Sequence, residues 1–188
     1  MRSPLATAAR AVERGEVVVY PTDTILGLGV SATDESAVAR LSELKRRPPD
    51  QPISVTVSSL PELEQWARLD GPALRFARLH LPGPYTILAR PSGRARRALA
   101  PALLARNGTI GLRLPDHPVA RELARRAGPI TATSANLHGS PPVRSLREAR
   151  RTFGADVAVY LAPRPRGSGR PSTLVDLTRG TPRPVARA

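Results

Sequence analysis

The sequence predicts an α/β layer fold with a mixed sheet, and three observations carry that expectation. About six or seven β-branched strand signals are interleaved with a similar number of helical ones. Some helices are adjacent, which breaks the clean alternation of a purely parallel sheet. The 188 residues are 40% hydrophobic. A chain of that length suits one domain, 1–188, burying roughly 70% of its unfolded surface. No repeat, heptad or domain linker interrupts it.

The elements follow in order. Ser3 caps a first helix with Pro4 at its first position and Gly15 beyond its end. Val17–Tyr20 is a buried strand that stops at Pro21, and Thr22, Asp23 and Thr24 follow at its carboxyl end. Gly27 and Gly29 give permissive backbone or close approach to a ligand. A helix starting at Thr33–Glu35 delivers Lys45 and Arg47 at its far end, and Pro48-Pro49 stop it before the strand Pro52–Val57. Ser58–Glu62 opens a helix carrying Leu63, Trp66 and Leu69. After Gly71-Pro72 another carries Leu74, Phe76, Leu79 and Leu81. Leu81–Pro84 turns into the strand Tyr85–Ala89, and Ser92–Arg106 is a helical stretch interrupted by Pro101. Asn107-Gly108 is a turn, Thr109–Leu114 a strand, Val119–Ala127 a helix and Ile130–Thr133 a strand leading to Ser134-Ala135-Asn136. Ser145–Phe153 is helical and Val157–Leu161 extended. Ala162–Pro171 is a flexible Pro/Gly/Arg loop, and the strand Ser172–Leu177 precedes a Pro-Arg tail.

Composition narrows the partners. A net charge of +14 implies an anion: nucleic acid, nucleotide or phosphorylated metabolite. Arginine accounts for 28 of the 29 basic residues and Lys45 is the only lysine. Such arginine bias fits a GC-rich genome and inflates pI without specifying function, which makes the one lysine worth testing. No cysteine is present, so disulfides and thiolate chemistry are excluded. The three histidines lack paired metal-ligand spacing, and no protein-held metal is expected. The N-terminus has no apolar h-region and no apolar run approaches the ~20 residues of a membrane span. A cytoplasmic protein without membrane contact is expected.

Polar clusters stand at strand ends: Thr22–Thr24, Lys45 with Arg47, Thr109 through Arg113, Ser134 with Asn136, and Ser172-Thr173. Each singly fits a bland role as turn former, helix-end cation or cap. There is no G-x-x-x-x-G-K-[ST], no G-x-G-x-x-G and no nucleophile elbow. What remains is a basic, hydroxyl-rich concavity without an evident nucleophile, suited to binding and orienting phosphates.

In order, the motifs Tyr20-Pro21-Thr22-Asp23-Thr24, Gly27-Leu28-Gly29, Lys45-x-Arg47-Pro48, Pro82-Gly83-Pro84-x-Thr86, Arg113-x-Pro115-Asp116-His117-Pro118, Ser134-Ala135-Asn136 and Ser172-Thr173-x-Val175-Asp176 resemble the YrdC-like threonylcarbamoyl-AMP synthases. The match spans about residues 17–184. The resemblance implies a single YrdC-like domain, a twisted mixed sheet with flanking helices and a basic concave cavity, and no separate C-terminal domain. It implies that L-threonine, bicarbonate and ATP give threonylcarbamoyl-adenylate and pyrophosphate, a nucleotidyltransferase reaction. The product would pass to the machinery that makes N6-threonylcarbamoyladenosine at position 37 of tRNA.

Carried over by position, the resemblance puts Lys45, Arg47, Ser134 and Asn136 around the phosphates and the reacting carbamate as catalytic residues. Thr109 and Arg183 would be further ATP contacts. Thr22, Arg113 and Ser172 would bind threonine, and Mg²⁺ would enter on the nucleotide phosphates. Leu26, Gln51, Pro142 and Val185 depart from the family pattern, and Leu26 and Gln51 border the expected pocket. Two rivals stand beside this reading. One is an RNA-binding protein of the same fold, contacting tRNA directly through its charge, although six aromatics offer no paired stacking platform. The other is a paralogue that adenylates or carbamoylates a different substrate. The loop 162–171, with Arg164, Arg166 and Arg170, is expected to be a lid that orders with nucleotide.

Overall fold

Every α-helix among the described residues begins on a side-chain cap, so the helix starts are local decisions of the sequence. The computed structural model describes residues 3–48, 51–162 and 167–186. Ser3 caps α1 (Pro4–Glu13), Asp34 caps α2 (Glu35–Leu44) and Ser59 caps α3 (Leu60–Trp66). Asp70 caps α4 (Gly71–His80), Ser92 caps α5 (Gly93–Ala98), His117 Nδ1 caps α6 (Pro118–Ala127) and Ser145 caps α7 (Leu146–Phe153).

The strands are β1 (Val18–Tyr20), β2 (Gly27–Gly29), β3 (Ser54–Thr56), β4 (Ala67–Arg68) and β5 (Tyr85–Pro91). They continue with β6 (Ile110–Arg113), β7 (Ile130–Ser134), β8 (Val159–Tyr160), β9 (Thr173–Asp176) and β10 (Arg183–Val185). Their order across the sheet is β10-β9-β5-β6-β3-β7-β2-β1-β8, with β4 added beside β5. The pairs β1–β8, β3–β6 and β5–β9 are parallel and the others antiparallel, so the sheet is mixed as expected.

Successive strand residues face opposite ways, and β1 shows where the two faces go. Val18 and Tyr20 pack with Ala8, Ala11 and Val12 of α1 and Ala120, Leu123 and Ala124 of α6. Val17 and Val19 join the larger core on the other face, with Val38 and Leu41 of α2, Leu63 and Trp66 of α3, and Ile87 and Leu112.

Five expectations need correction. Gly27-Leu28-Gly29 is a regular strand, and its two glycines serve neither unusual dihedrals nor a ligand but the ring of Tyr20. The helix carrying Trp66 ends there, because Ala67 and Arg68 pair with Pro91 and Arg90 as a short strand, so Leu69 is not helical. The stretch 92–106 is helical only over α5 and a short 3₁₀ turn at Pro101–Leu103, since proline cannot continue an α-helix. The helix expected to carry Leu81 ends at His80, with Leu81 as its extended C-cap, and its buried residues are Ala73 and Ala77 while Leu79 is 73% exposed. The Pro-Arg tail forms β10, an edge strand that tolerates Pro184 because an edge leaves some N–H positions unneeded. Among the described residues no helix is long and apolar enough to cross a membrane.

Candidate active site

The same alternation that builds the larger core leaves a polar row on the opposite face of the central strands. Val55, Val57, Leu112, Leu114 and Ile87 belong to the larger core. Thr56, Arg113 and Thr86, which alternate with them, turn away from it. Register sets Thr56 beside Arg113, and the pairing of Ile87 with Leu112 brings Thr86 to the other flank of Arg113. Thr86 shares a 2.7 Å hydrogen bond with Ser172, which extends the row to the start of β9.

Arg113 is 7% exposed, and its Nη2 donates to Asp23 Oδ1 at 2.9 Å and to Thr24 Oγ1 at 3.0 Å. The Thr22 hydroxyl donates to the Ile25 carbonyl at 2.7 Å, so Thr24 must donate in the 2.9 Å Thr22–Thr24 contact. Donation therefore runs one way, from Arg113 through Thr24 and Thr22 to Ile25, and aligned bonds of this kind reinforce one another. Burial lowers the Arg113 pKa and the Asp23 charge opposes that. A guanidinium remains protonated throughout. Arg113, expected to bind threonine, is thus one half of an ion pair, and its partner Asp23 is a residue to which the sequence assigned no role.

Tyr20 crosses beneath this row. Its hydroxyl donates to the Thr131 carbonyl at 2.9 Å, which leaves Thr56 as the donor in the 3.1 Å Tyr20–Thr56 contact. Burial raises the Tyr20 pKa, keeping that donor protonated. Its ring lies over β2: a Cβ on Gly29 would stand 2.8 Å from ring carbon Cε1, and one on Gly27 3.1 Å. The two glycines therefore make room for Tyr20 rather than for a ligand, and this explains a strand of sequence Gly-Leu-Gly.

A second cluster adjoins the first where β2 meets β7. Gly27 pairs with Ser134, and the Ala135 N–H donates to the Leu26 carbonyl at 2.9 Å. Here α2 ends in a Schellman turn: the Arg46 N–H reaches the Glu43 carbonyl and the Arg47 N–H the Ser42 carbonyl. Arg46 occupies the left-handed position, with φ of 52°. That reversal separates the side chains of Lys45 and Arg47 from the helix axis. Lys45, 2% exposed, donates through Nζ to the backbone carbonyls of Ser134 at 2.5 Å and Asn136 at 2.6 Å. Burial, and then the Arg47 charge, bring the Lys45 pKa down to about 7. Arg47 donates to the carbonyls of Gln51 at 2.8 Å and Pro52 at 3.1 Å. Asn136 Nδ2 bonds the carbonyls of Leu137 and Ser140, and its buried Oδ1 has no partner. Arg46 bears directly on this arrangement. Replacing it by glycine should leave stability unchanged or raise it by up to ~1 kcal/mol, since glycine adopts the left-handed conformation without a Cβ clash. Thermal melting checks this, and a fall in melting temperature would contradict it.

The structure thus joins Lys45, Ser134 and Asn136 in one cluster, with Arg47 two residues from Lys45, and joins Thr22 and Arg113 in the other. Ser172 is tied to Thr86. Thr109 and Arg183 lie elsewhere. Thr109 precedes β6, at the far end of that strand from Arg113, and its hydroxyl donates to Asn107 Oδ1 at 2.8 Å. It lines a cavity of about 180 Å³ with Arg90, Asp176 and Arg179, and Arg183 is the register partner of Asp176. Leu26 is buried in the larger core, and Gln51 contributes its carbonyl to Arg47.

The end of the expected lid is a strap. Ser168 and Gly169 donate their N–H groups to the carbonyls of Asp23 and Thr24 at 2.9 and 2.8 Å. A Cβ on Gly167 would stand 2.4 Å from the Thr24 oxygen and 2.5 Å from the Thr22 oxygen. Arg164 and Arg166 lie outside the described residues. Gly167→Ala should therefore lift the strap from residues 22–24. Proteolysis within the loop should become faster in the variant, and an unchanged cleavage rate would contradict the docking.

The chain belongs to the Sua5/YciO/YrdC family, whose model, described as telomere recombination, matches residues 10–188. Among its relatives is a threonylcarbamoyl-AMP synthase of Chromohalobacter salexigens, 39% identical over 180 residues that cover 94% of each chain. The P. abyssi Sua5 structure complexed with L-threonine superposes with a TM-score of 0.84 at 31% identity, covering 95% of this chain and 52% of that one. The E. coli YciO structure gives a TM-score of 0.82 at 28% identity, covering 97% and 88%. The chain therefore spans about half the length of the P. abyssi protein.

Proposed function

We propose that this protein is an L-threonylcarbamoyladenylate synthase, a nucleotidyltransferase acting on L-threonine, bicarbonate and ATP. The observation that carries the reading is the pairing of two adjoining clusters, one built around a buried guanidinium and hydroxyls, the other around Lys45 and Arg47. The first suits an amino-acid carboxylate, for which a guanidinium is a strong partner. The second suits a polyphosphate, and its Lys, Arg, Ser and Asn groups fit anionic oxygens rather than a bare cation. Mg²⁺ would be carried on the triphosphate, where it neutralises charge.

In this reading Arg113, with Thr22 and Ser172, holds the threonine carboxylate. Carbamate formation on the threonine nitrogen consumes bicarbonate and releases water. A carbamate oxygen then attacks the α-phosphorus of ATP, the bond to pyrophosphate breaks, and the mixed anhydride threonylcarbamoyl-AMP forms. Lys45 organises the Ser134–Asn136 segment through its two carbonyls and, with Arg47, sets a positive field for the phosphates. Asn136 Oδ1, buried and unpartnered, is the open valence of that segment. Thr109 and Arg183 would reach the far end of the nucleotide. This route needs no covalent enzyme intermediate, so rate enhancement rests on orientation and charge placement.

Pyrophosphate release tests this reading: it should require threonine and bicarbonate together. RNA binding, favoured by the +14 charge alone, would show no such dependence and would weaken steeply with salt.

A further inference from the structure

We propose that Asp23 reads the α-ammonium of the substrate, and that the Asp23–Arg113 pair restricts the pocket to zwitterionic α-amino acids. This deepens the functional reading above and rests on it. The pair leaves two of its own polar atoms unfilled. Arg113 Nη2 and Asp23 Oδ1 satisfy each other at 2.9 Å, but Arg113 Nε and Asp23 Oδ2 are both buried without a partner. The side chains are only 9% and 12% exposed, so water does little to compensate either atom.

One buried cation and one buried anion, side by side with an open valence each, are the complement of a ligand carrying both charges close together. A ligand carboxylate on Arg113 Nε with its ammonium on Asp23 Oδ2 would satisfy both unpartnered atoms at once. A ligand with the carboxylate alone would meet Asp23 as an uncompensated like charge, which burial makes costly.

The backbone that carries Asp23 is held in place, and its carboxylate is held by Arg113. The Asp23 backbone carbonyl accepts from the Ser168 N–H, the next backbone carbonyl accepts from Gly169, and Thr22 is anchored to Ile25. Thr24 Oγ1 holds the same Arg113 nitrogen that Asp23 does. Asp23 is therefore fixed from the strap, from its own strand end and from Arg113. It touches the substrate as a binding residue, and a purely structural role would be confined to holding Arg113.

Calorimetric titration of the full chain with L-threonine and with (R)-3-hydroxybutyrate, which is threonine without its ammonium, separates the two roles. The wild type should prefer threonine by at least about tenfold, the loss expected for one charge-assisted contact. Asp23→Asn keeps an oxygen for Arg113 and removes the charge. It should weaken threonine by about tenfold or more and bind (R)-3-hydroxybutyrate as well as or better than the wild type does, so that the preference collapses. Equal binding of the two ligands by the wild type overturns the proposal, and this arm needs no variant to fold. A wild type that binds threonine selectively, with an Asp23→Asn variant that keeps the same preference, overturns the proposal while leaving the functional reading intact. A wild type that binds neither overturns both.

Discussion

Lys45→Arg should fold and melt like the wild-type protein yet form adenylate at least tenfold more slowly. Both side chains carry one positive charge when protonated and both residues are good helix formers, and 28 arginines elsewhere show that the chain accommodates guanidinium readily. The difference lies in the shape of the site. Lys45 places one small ammonium against two carbonyls 2.5 and 2.6 Å away while remaining 2% exposed. A planar fork cannot occupy that volume without displacing the Ser134–Asn136 segment, and a ~1 Å misplacement of a reacting group can cost on the order of 100-fold in rate.

Proton linkage gives a second readout of the same residue. Burial holds the Lys45 pKa near 7 without ligand, and a bound polyphosphate favours the charged ammonium and raises it. ATP binding above pH 7 should therefore take up a proton, and affinity should fall as pH rises through that window. Calorimetry in buffers of different ionisation enthalpy measures the uptake, and Lys45→Arg, always protonated, should abolish it. Wild-type turnover together with unchanged proton uptake in this variant would make Lys45 an ordinary helix-end cation.

Arg113→Ala should weaken threonine binding far more than ATP binding. Loss of a charge-assisted pair costs about 1.5–3 kcal/mol, or roughly 10- to 150-fold in affinity. Here the deletion also leaves Asp23 buried without its cation and breaks the one-way chain through Thr24 and Thr22. The effect should therefore reach the upper end of that range or exceed it. On the proposed reading the ATP contacts sit in the other cluster, which meets this one along the β2–β7 edge, and ATP affinity should change little. Calorimetry with each ligand separately checks both halves, and unchanged threonine affinity would remove Arg113 from the site.

Much of this arrangement is visible in the sequence because it depends on neighbours in the chain. The caps at Ser3, Ser59 and Ser145 and the buried strand at Val18–Tyr20 are local signals, and the fold reads accordingly. The polar residues at strand ends could be picked out as candidates for the same reason. Their connections could not. Asp23 and Arg113 are 90 residues apart, and their pairing depends on β6 lying where Tyr20 and Thr22–Thr24 cross it. Ser134 and Asn136 hold Lys45 through backbone carbonyls, which any residue carries, so the motif marks these positions without showing that contact. Gly27 and Gly29 read as permissive backbone or a close approach to a ligand until the ring of Tyr20 is seen to fill the Cβ space. Arg46 gives no hint of its left-handed backbone, because glycine is the usual residue there.

The central claim is tested most directly by mass spectrometry of the products formed from ATP and bicarbonate with each amino acid in turn. The account predicts threonylcarbamoyl-AMP and an equal amount of pyrophosphate with L-threonine, and little or no adenylate with amino acids lacking the β-hydroxyl. Adenylate formed equally well with another acceptor, or none formed with threonine, would contradict it.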